Sequence, residues 1–267
     1  PASNATVATV VRAAWALVVS QYINSDDVIF GETLTGRNAP IIGAEEIEGP
    51  MITTVPVRVQ ADKEIPVAEY LQSIQEQTVA QIPHEHFGLQ YIRRLSPDAL
   101  EACELRTGLV LHPSSEGEPS QDADLPANRL VPAGDAEAAQ EALKFNTYAL
   151  MLVCSIDPKG FLVMASFDSN TVTSPLMEKV LSQFKTVVQA LCSEPSRRLG
   201  AVWSLTDDDY SEIKSQVAAT TDTAVFGQYP GALAAYLVNS QAQDQLVPVG
   251  GVGELIVQST SELDLPI

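Results

Sequence analysis

Only three cysteines, Cys103, Cys154 and Cys192, occur in the 267 residues. They are too few and too scattered for a disulfide framework, and none has the paired spacing of a zinc ribbon, so a reducing, cytoplasmic setting is expected. Basic residues are also scarce. Fifteen Lys and Arg against 34 Asp and Glu leave a formal charge of −19, which phosphate backbones and anionic leaflets would repel; nucleic-acid and membrane-surface partners are therefore disfavoured. Long apolar runs are missing as well: the longest, Tyr148 to Ile156, is about half a membrane span, and the first residues carry neither a basic leader nor an initiator Met. No export or anchoring signal is read. With three histidines in all, His84, His86 and His112, the search for acid/base chemistry is short.

What is present describes a folded chain. Apolar residues make up 45% and charged residues 18%, ordinary globular usage that excludes wholesale disorder and fibrous architectures. Val7, Val10, Val11, Ala14, Leu17, Val18 and Tyr22 recur at helical spacing and predict a first helix with one apolar face. A packed helix so close to residue 1 reads as a start in the middle of a domain. Val28 to Gly31 and Ile52 to Val59 read as strands, the second at an edge or bulge because Pro56 cannot donate to a ladder. Val67, Tyr70, Leu71 and Ile74 mark a second helix ended by Pro83, and Arg106 to His112 another strand. The stretch 113–135, acidic, rich in Ser and Pro and without periodicity, reads as a flexible excursion.

Tyr148 to Ile156 and Phe161 to Phe167 form the clearest hairpin, turning through Asp157-Pro158-Lys159-Gly160. Leu176 to Leu191 repeats at helical spacing until Pro195 stops it. From Leu199 the composition becomes that of a linker, and Ala232 to Val238 with Gly253 to Val257 read as two short strands, too little for an independent core. The expected organisation is a domain over 1–198, a linker over 199–226 and a small β-rich piece over 227–267.

Taken residue by residue, no catalytic constellation is complete. No Ser or Cys has a nucleophile-elbow context, and Gly250 to Gly253 lacks the strand-to-helix setting of a dinucleotide loop. His84-Glu85-His86 is the only histidine cluster. On a strand both rings could share a face as a metal pair, but after Pro83 they are expected to cap a turn and supply hydrogen bonds.

Four motifs nevertheless occur in order: Asp27-Val28-Ile29-Phe30-Gly31; Thr35-Gly36-Arg37; Glu48-Gly49-Pro50-Met51-Ile52-Thr53-Thr54-Val55-Pro56-Val57-Arg58; and His84-Glu85-His86-Phe87-Gly88-Leu89. Together they resemble the condensation domain of fungal nonribosomal peptide synthetases. Asn146 to Leu150 with the following hairpin, Phe167-Asp168-Ser169 and the long helix are similar to the end of that domain. The resemblance covers roughly residues 1 to 198 and implies an α/β fold: the C-terminal of two chloramphenicol-acetyltransferase-like halves, a mixed sheet flanked by helices, followed by the small β-rich fragment.

The resemblance further implies amide formation between aminoacyl or peptidyl thioesters tethered to peptidyl carrier protein domains. The phosphopantetheine cofactor belongs to those carriers, and none is expected in this chain, nor any metal. The family's His-His-x-x-x-Asp-Gly signature lies in the N-terminal half; no such string occurs in this sequence, so no catalytic residue is assigned. What this half should supply is tunnel wall: Thr35, Gly36 and Arg37 in a loop near the reacting thioester, and Thr53 where bacterial members often carry Asn. Thr keeps a donor and an acceptor but reaches less far than the amide. Gly49, Pro50 and Pro56 are expected to fix backbone shape, Arg58 to pair with a carboxylate, and His84 to belong to the structural motif; Thr53 stays open between a structural role and a place on the tunnel wall.

The tail has its own resemblance. Ala235 to Asn239 and Asp244 to Val257 are similar to the adenylation-domain stretch that ends in Gly-Glu-Leu, without that family's ATP loop, amino-acid pocket or catalytic Lys, which implies a degenerate remnant. The rival reading of the whole chain is a non-catalytic relic that docks carriers or holds neighbouring modules.

Overall fold

A computed structural model describes residues 5–37, 42–43, 47–49, 51–113, 148–157, 160–202, 205–212, 233–239, 242–248, 251 and 254–259. Pro50 and the expected excursion over 113–135, apart from Pro113, lie outside the described residues. The elements in order are α1 (Val7–Ile23), β1 (Asp27–Leu34), β2 (Thr53–Gln60), α2 (Val67–Gln81), a 3-10 turn (Ile82–His84), α3 (Leu89–Ile92), α4 (Pro97–Ala102), β3 (Thr107–Pro113), β4 (Leu150–Asp157), β5 (Gly160–Phe167), α5 (Ser174–Ser193), a second 3-10 turn (Leu199–Ala201), β6 (Leu233–Asn239), β7 (Ala242–Leu246) and β8 (Glu254–Ser259).

The fold is α/β, built on a mixed five-stranded sheet of order β2-β1-β3-β4-β5. β1 pairs parallel with β3 and β3 parallel with β4, while β4 and β5 form the antiparallel hairpin, closing at the Asp157↔Gly160 pair. β2 is an edge strand, the position where Pro56, with no N–H to give, leaves no ladder bond unmade. Along β2 the side chains alternate, with Val55, Val57 and Val59 buried and Arg58 exposed. A separate three-stranded antiparallel sheet, β7-β6-β8, forms near the C-terminus.

The chain divides into two compact units, one of residues 1–28, 58–77 and 173–267, the other of residues 29–57 and 78–172. In the first, α1 starts at Thr6, whose hydroxyl caps the Thr9 amide, and stops at Asn24 in the left-handed conformation. Instead of one apolar face, every residue from Thr9 to Val18 is buried: Ala13 and Ala16 lie on the remaining faces and allow neighbours close. α1 packs against α5, which buries Met177, Val180, Phe184, Val187, Val188 and Leu191. The buried Tyr70 of α2 donates its hydroxyl to the Ala13 carbonyl at 3.1 Å.

The described part of 199–226 is ordered structure. Residues 207–212 are helical. Thr206 and Asp209 form a reciprocal cap: the Asp209 carboxylate accepts from the Thr206 amide at 2.8 Å, and the Thr206 hydroxyl accepts from the Asp209 amide at 3.2 Å. The same carboxylate accepts from Gln183 Nε2 at 3.1 Å, and Gln183 Oε1 accepts from the Tyr22 hydroxyl at 2.9 Å. Burial, with the Asp209 charge adding to it, holds the Tyr22 phenol well above its ordinary pKa.

In the second unit the core gathers Val110, Met151 and Val153, with Tyr148 and Met164 packed against them. After β5, Asp168 closes an Asx turn by accepting from the Asn170 amide at 2.9 Å, and that bond leads the causes holding its carboxyl below the usual range.

Candidate functional site

The second unit brings together three of the four sequence motifs. β1 ends at Leu34, and Thr35, Gly36 and Arg37 follow as a loop in which Gly36 is buried and turns through φ +68°. That angle is left-handed, where a Cβ costs energy, and the space is closed as well: a Cβ on Gly36 would stand 1.9 Å from the Met51 carbonyl oxygen and 2.8 Å from His86 Cε1. Three chain segments meet at this glycine because it has no side chain.

Polar staples hold the loop there. The Gly36 carbonyl accepts a hydrogen bond from the His86 ring nitrogen Nε2 at 2.7 Å. Arg37 donates Nη1 to the Ile47 carbonyl at 3.0 Å and Nη2 to the Gly49 carbonyl at 3.2 Å. Gly49 itself adopts φ +126°, a backbone region that only glycine enters freely. Thr53, at the start of β2, donates its hydroxyl to the Glu85 carbonyl at 2.8 Å, tying β2 to the turn that carries His86. So Thr53 spends its one donor on its own fold, and only its hydroxyl lone pairs remain to accept.

The turn is short-range in origin. Pro83 sits inside the 3-10 turn Ile82–His84, whose fixed φ suits a helical first turn. The Glu85 and Phe87 amides continue it onto the Ile82 and His84 carbonyls at 3.4 and 3.0 Å. Glu85 is buried, while His84 and His86 are both exposed. No group of three metal-ligating side chains is found among the described residues.

Of the other residues singled out from sequence, Arg58 lies in the first unit. It forms a two-pronged pair with Asp27, Nε to Oδ1 at 2.8 Å and Nη2 to Oδ2 at 2.6 Å, and that bond holds the Asp27 carboxyl below its usual range. Arg58 is thus engaged with a carboxylate. Pro56 stands on the edge strand as described. The buried thiols offer no nucleophile: Cys154 is fully buried, and burial pushes its pKa up to about 12, while burial also raises Cys103. Chemically, the loop presents fixed backbone dipoles, a hydroxyl acceptor and a guanidinium already directed at two carbonyls. It is an arrangement that shapes and orients.

Comparison with known proteins identifies the family. The family description "Condensation domain" matches residues 1–214. The chain belongs to the condensation-domain family. This condensation domain is 62% identical over 263 residues to the nonribosomal peptide synthetase SIDD of Beauveria bassiana, covering 98% of the chain and 14% of that protein. Nonribosomal peptide synthetase 1 of Ajellomyces capsulatus is 56% identical over 263 residues, 96% of the chain and 14% of that protein. The chain thus spans about a seventh of the length of these relatives. Among solved structures, the starter condensation domain of rhizomide synthetase RzmA superposes with a TM-score of 0.52 at 15% identity, covering 75% of this chain and 45% of that one. That likeness is one of fold.

The His86–Gly36 bond was not readable from the sequence. It joins residues 50 apart in the chain, and its only local signal was a histidine set in a proline-started turn. No helix among the described residues is long and apolar enough to cross a membrane.

Proposed function

We propose that the chain is the C-terminal half of a condensation domain and contributes one wall of the tunnel in which two carrier-bound substrates meet. In the complete reaction the amine of one carrier-tethered aminoacyl thioester attacks the acyl thioester on another; the amide C–N bond forms, the C–S bond breaks, and the donor's phosphopantetheine thiol leaves with a proton. Most of the acceleration in such a reaction comes from holding two tethered reactants in line. Thr35, Gly36, Arg37 and Thr53 are the wall residues, with Gly49 and Pro56 setting the backbone around them. The observation that carries this reading is the stapled loop: Gly36 cannot accept a side chain, its carbonyl and the neighbouring Thr53 are both tied to the histidine turn, and Arg37 is tied to the carbonyls of Ile47 and Gly49.

The partners in this reading are peptidyl carrier domains bearing phosphopantetheine and an N-terminal half carrying His-His-x-x-x-Asp-Gly, in the cytoplasm. Residues 227–267 are read as adenylation-domain sequence. The similarity to the Beauveria synthetase covers 98% of the chain and so runs past residue 214, which supports synthetase sequence in this segment.

The test supplies the N-terminal half of the corresponding Beauveria domain as a second polypeptide, with one aminoacyl-loaded donor carrier and one acceptor carrier, and reads dipeptidyl-carrier by intact-protein mass spectrometry. Product is expected only with both halves present. Product from this chain alone would refute the division of labour, and two halves that bind one another yet give no product would favour the non-catalytic docking relic.

A further inference from the structure

A loop that orients a reacting group has to be held at its carbonyls and amides, because a peptide plane free to flip presents a donor and an acceptor in turn to the same point. In the Thr35–Arg37 loop the plane between Gly36 and Arg37 is held by a side chain. Its carbonyl lies 2.7 Å from His86 Nε2. A carbonyl oxygen only accepts, so the ring nitrogen facing it must carry the proton. Both the neutral ring protonated at Nε2 and the imidazolium carry that proton, so protonation of the ring does not break the bond.

We propose that His86 is a positioning residue for condensation: through Nε2–H it fixes the Gly36 carbonyl, and with it the direction of the following peptide plane. The described chain has no cis peptide bond. In a trans plane the carbonyl and the next N–H point in opposite directions, so anchoring the Gly36 carbonyl on His86 aims the Arg37 amide away from the histidine turn. The ring also limits the loop sterically, since His86 Cε1 closes one side of the space at Gly36 and the Met51 carbonyl the other. The turn that presents the ring is in turn tied to β2 by Thr53, which donates to the carbonyl of Glu85, the residue before His86. A change in the histidine turn is therefore transmitted to the loop and to the start of β2 together. His86 is exposed, so the core does not depend on it and its replacement isolates the staple. This role rests on the reading of the Thr35–Arg37 loop as tunnel wall.

The experiment uses the full 267-residue chain labelled with nitrogen-15 at histidine. With three histidines, the ring signal that disappears in His86→Gln is assigned directly. The expected spectrum shows His86 protonated at Nε2, with that proton slowed in exchange. Removing one neutral hydrogen bond should speed amide exchange at Gly36 and Arg37 by about five- to tenfold in His86→Phe. His86→Gln, whose side-chain amide can donate in place of Nε2–H, should return it to within about twofold. In the two-half condensation assay, kcat should fall in His86→Phe and recover in His86→Gln, with KM for the carriers unchanged in both. A ring protonated at Nδ1 alone, or loop exchange indifferent to His86→Phe, overturns the proposal. If the loop responds as stated and kcat does not, the tunnel reading fails while the hold of His86 on Gly36 stands.

Discussion

Gly36→Ala concentrates the argument in a single methyl group. The perturbation has two parts. A left-handed backbone costs an L-residue about 1–2 kcal/mol, and the new Cβ would stand 1.9 Å from the Met51 carbonyl oxygen, far inside contact distance. That oxygen is backbone, so no rotamer change relieves it; the loop must move away. Moving away stretches the His86 bond, worth about 1 kcal/mol net, so the total comes to about 3 kcal/mol or more. Gly49→Ala supplies the control. Gly49 sits at φ +126°, a region as unfavourable or more so, at about 1–3 kcal/mol, but a Cβ there meets nothing within 4 Å. Backbone strain alone would therefore rank Gly49→Ala as equal or worse, whereas packing ranks Gly36→Ala worse. Urea unfolding gives the two losses of stability, and amide exchange at Arg37 and Met51 shows whether the loss is local to the loop. If Gly49→Ala proves as costly as Gly36→Ala, the closeness of the three segments at Gly36 is wrong, and the stapled site with it.

Three further outcomes follow from the same structure. Tyr70→Phe should cost about 1 kcal/mol in urea unfolding, because the Ala13 carbonyl that loses the phenol at 3.1 Å still has its place in the α1 ladder. Ellman's reagent should titrate one thiol per native chain quickly, at the exposed Cys192, and reach buried Cys103 and Cys154 only on unfolding. Asp27 has its carboxyl held below 3.8 by the bond from Arg58, so the pair's contribution is present above that value and lost as pH falls through the lower folded pKa. The stability gap between wild type and Asp27→Asn should accordingly shrink on acidification below about pH 4, and since the pair is exposed it should never exceed about 1 kcal/mol.

How much of this was legible in the sequence depended on the range of the interaction responsible. Period-two alternation marked Val55, Val57 and Val59 as one face of β2, and Pro56 announced an edge. The long α5 declared itself by spacing and by the proline beyond it. Residues 207–212 were hidden by their composition: three successive aspartates look like a linker, and the signal that contradicts them is the Thr206-to-Asp209 cap spacing. α1 showed an apolar stripe in sequence, but the alanines on its other faces are what let the fold enclose it completely. In the candidate site the motifs could be found in order, because each is local. Their meeting at Gly36 could not, because the His86, Met51 and Thr53 contacts depend on where β1, β2 and the histidine turn come to rest in space.

The central claim is that the Thr35–Arg37 loop faces the reacting thioester. A diazirine-bearing acyl group carried on a donor carrier's phosphopantetheine, photolysed in the assembled two-half domain and mapped by tandem mass spectrometry, tests it most directly. Adducts on Thr35, Gly36, Arg37 or Thr53, suppressed in competition with an unlabelled acyl carrier, are the predicted result. Adducts confined to surfaces away from this loop, equally suppressed by the competitor, would contradict it.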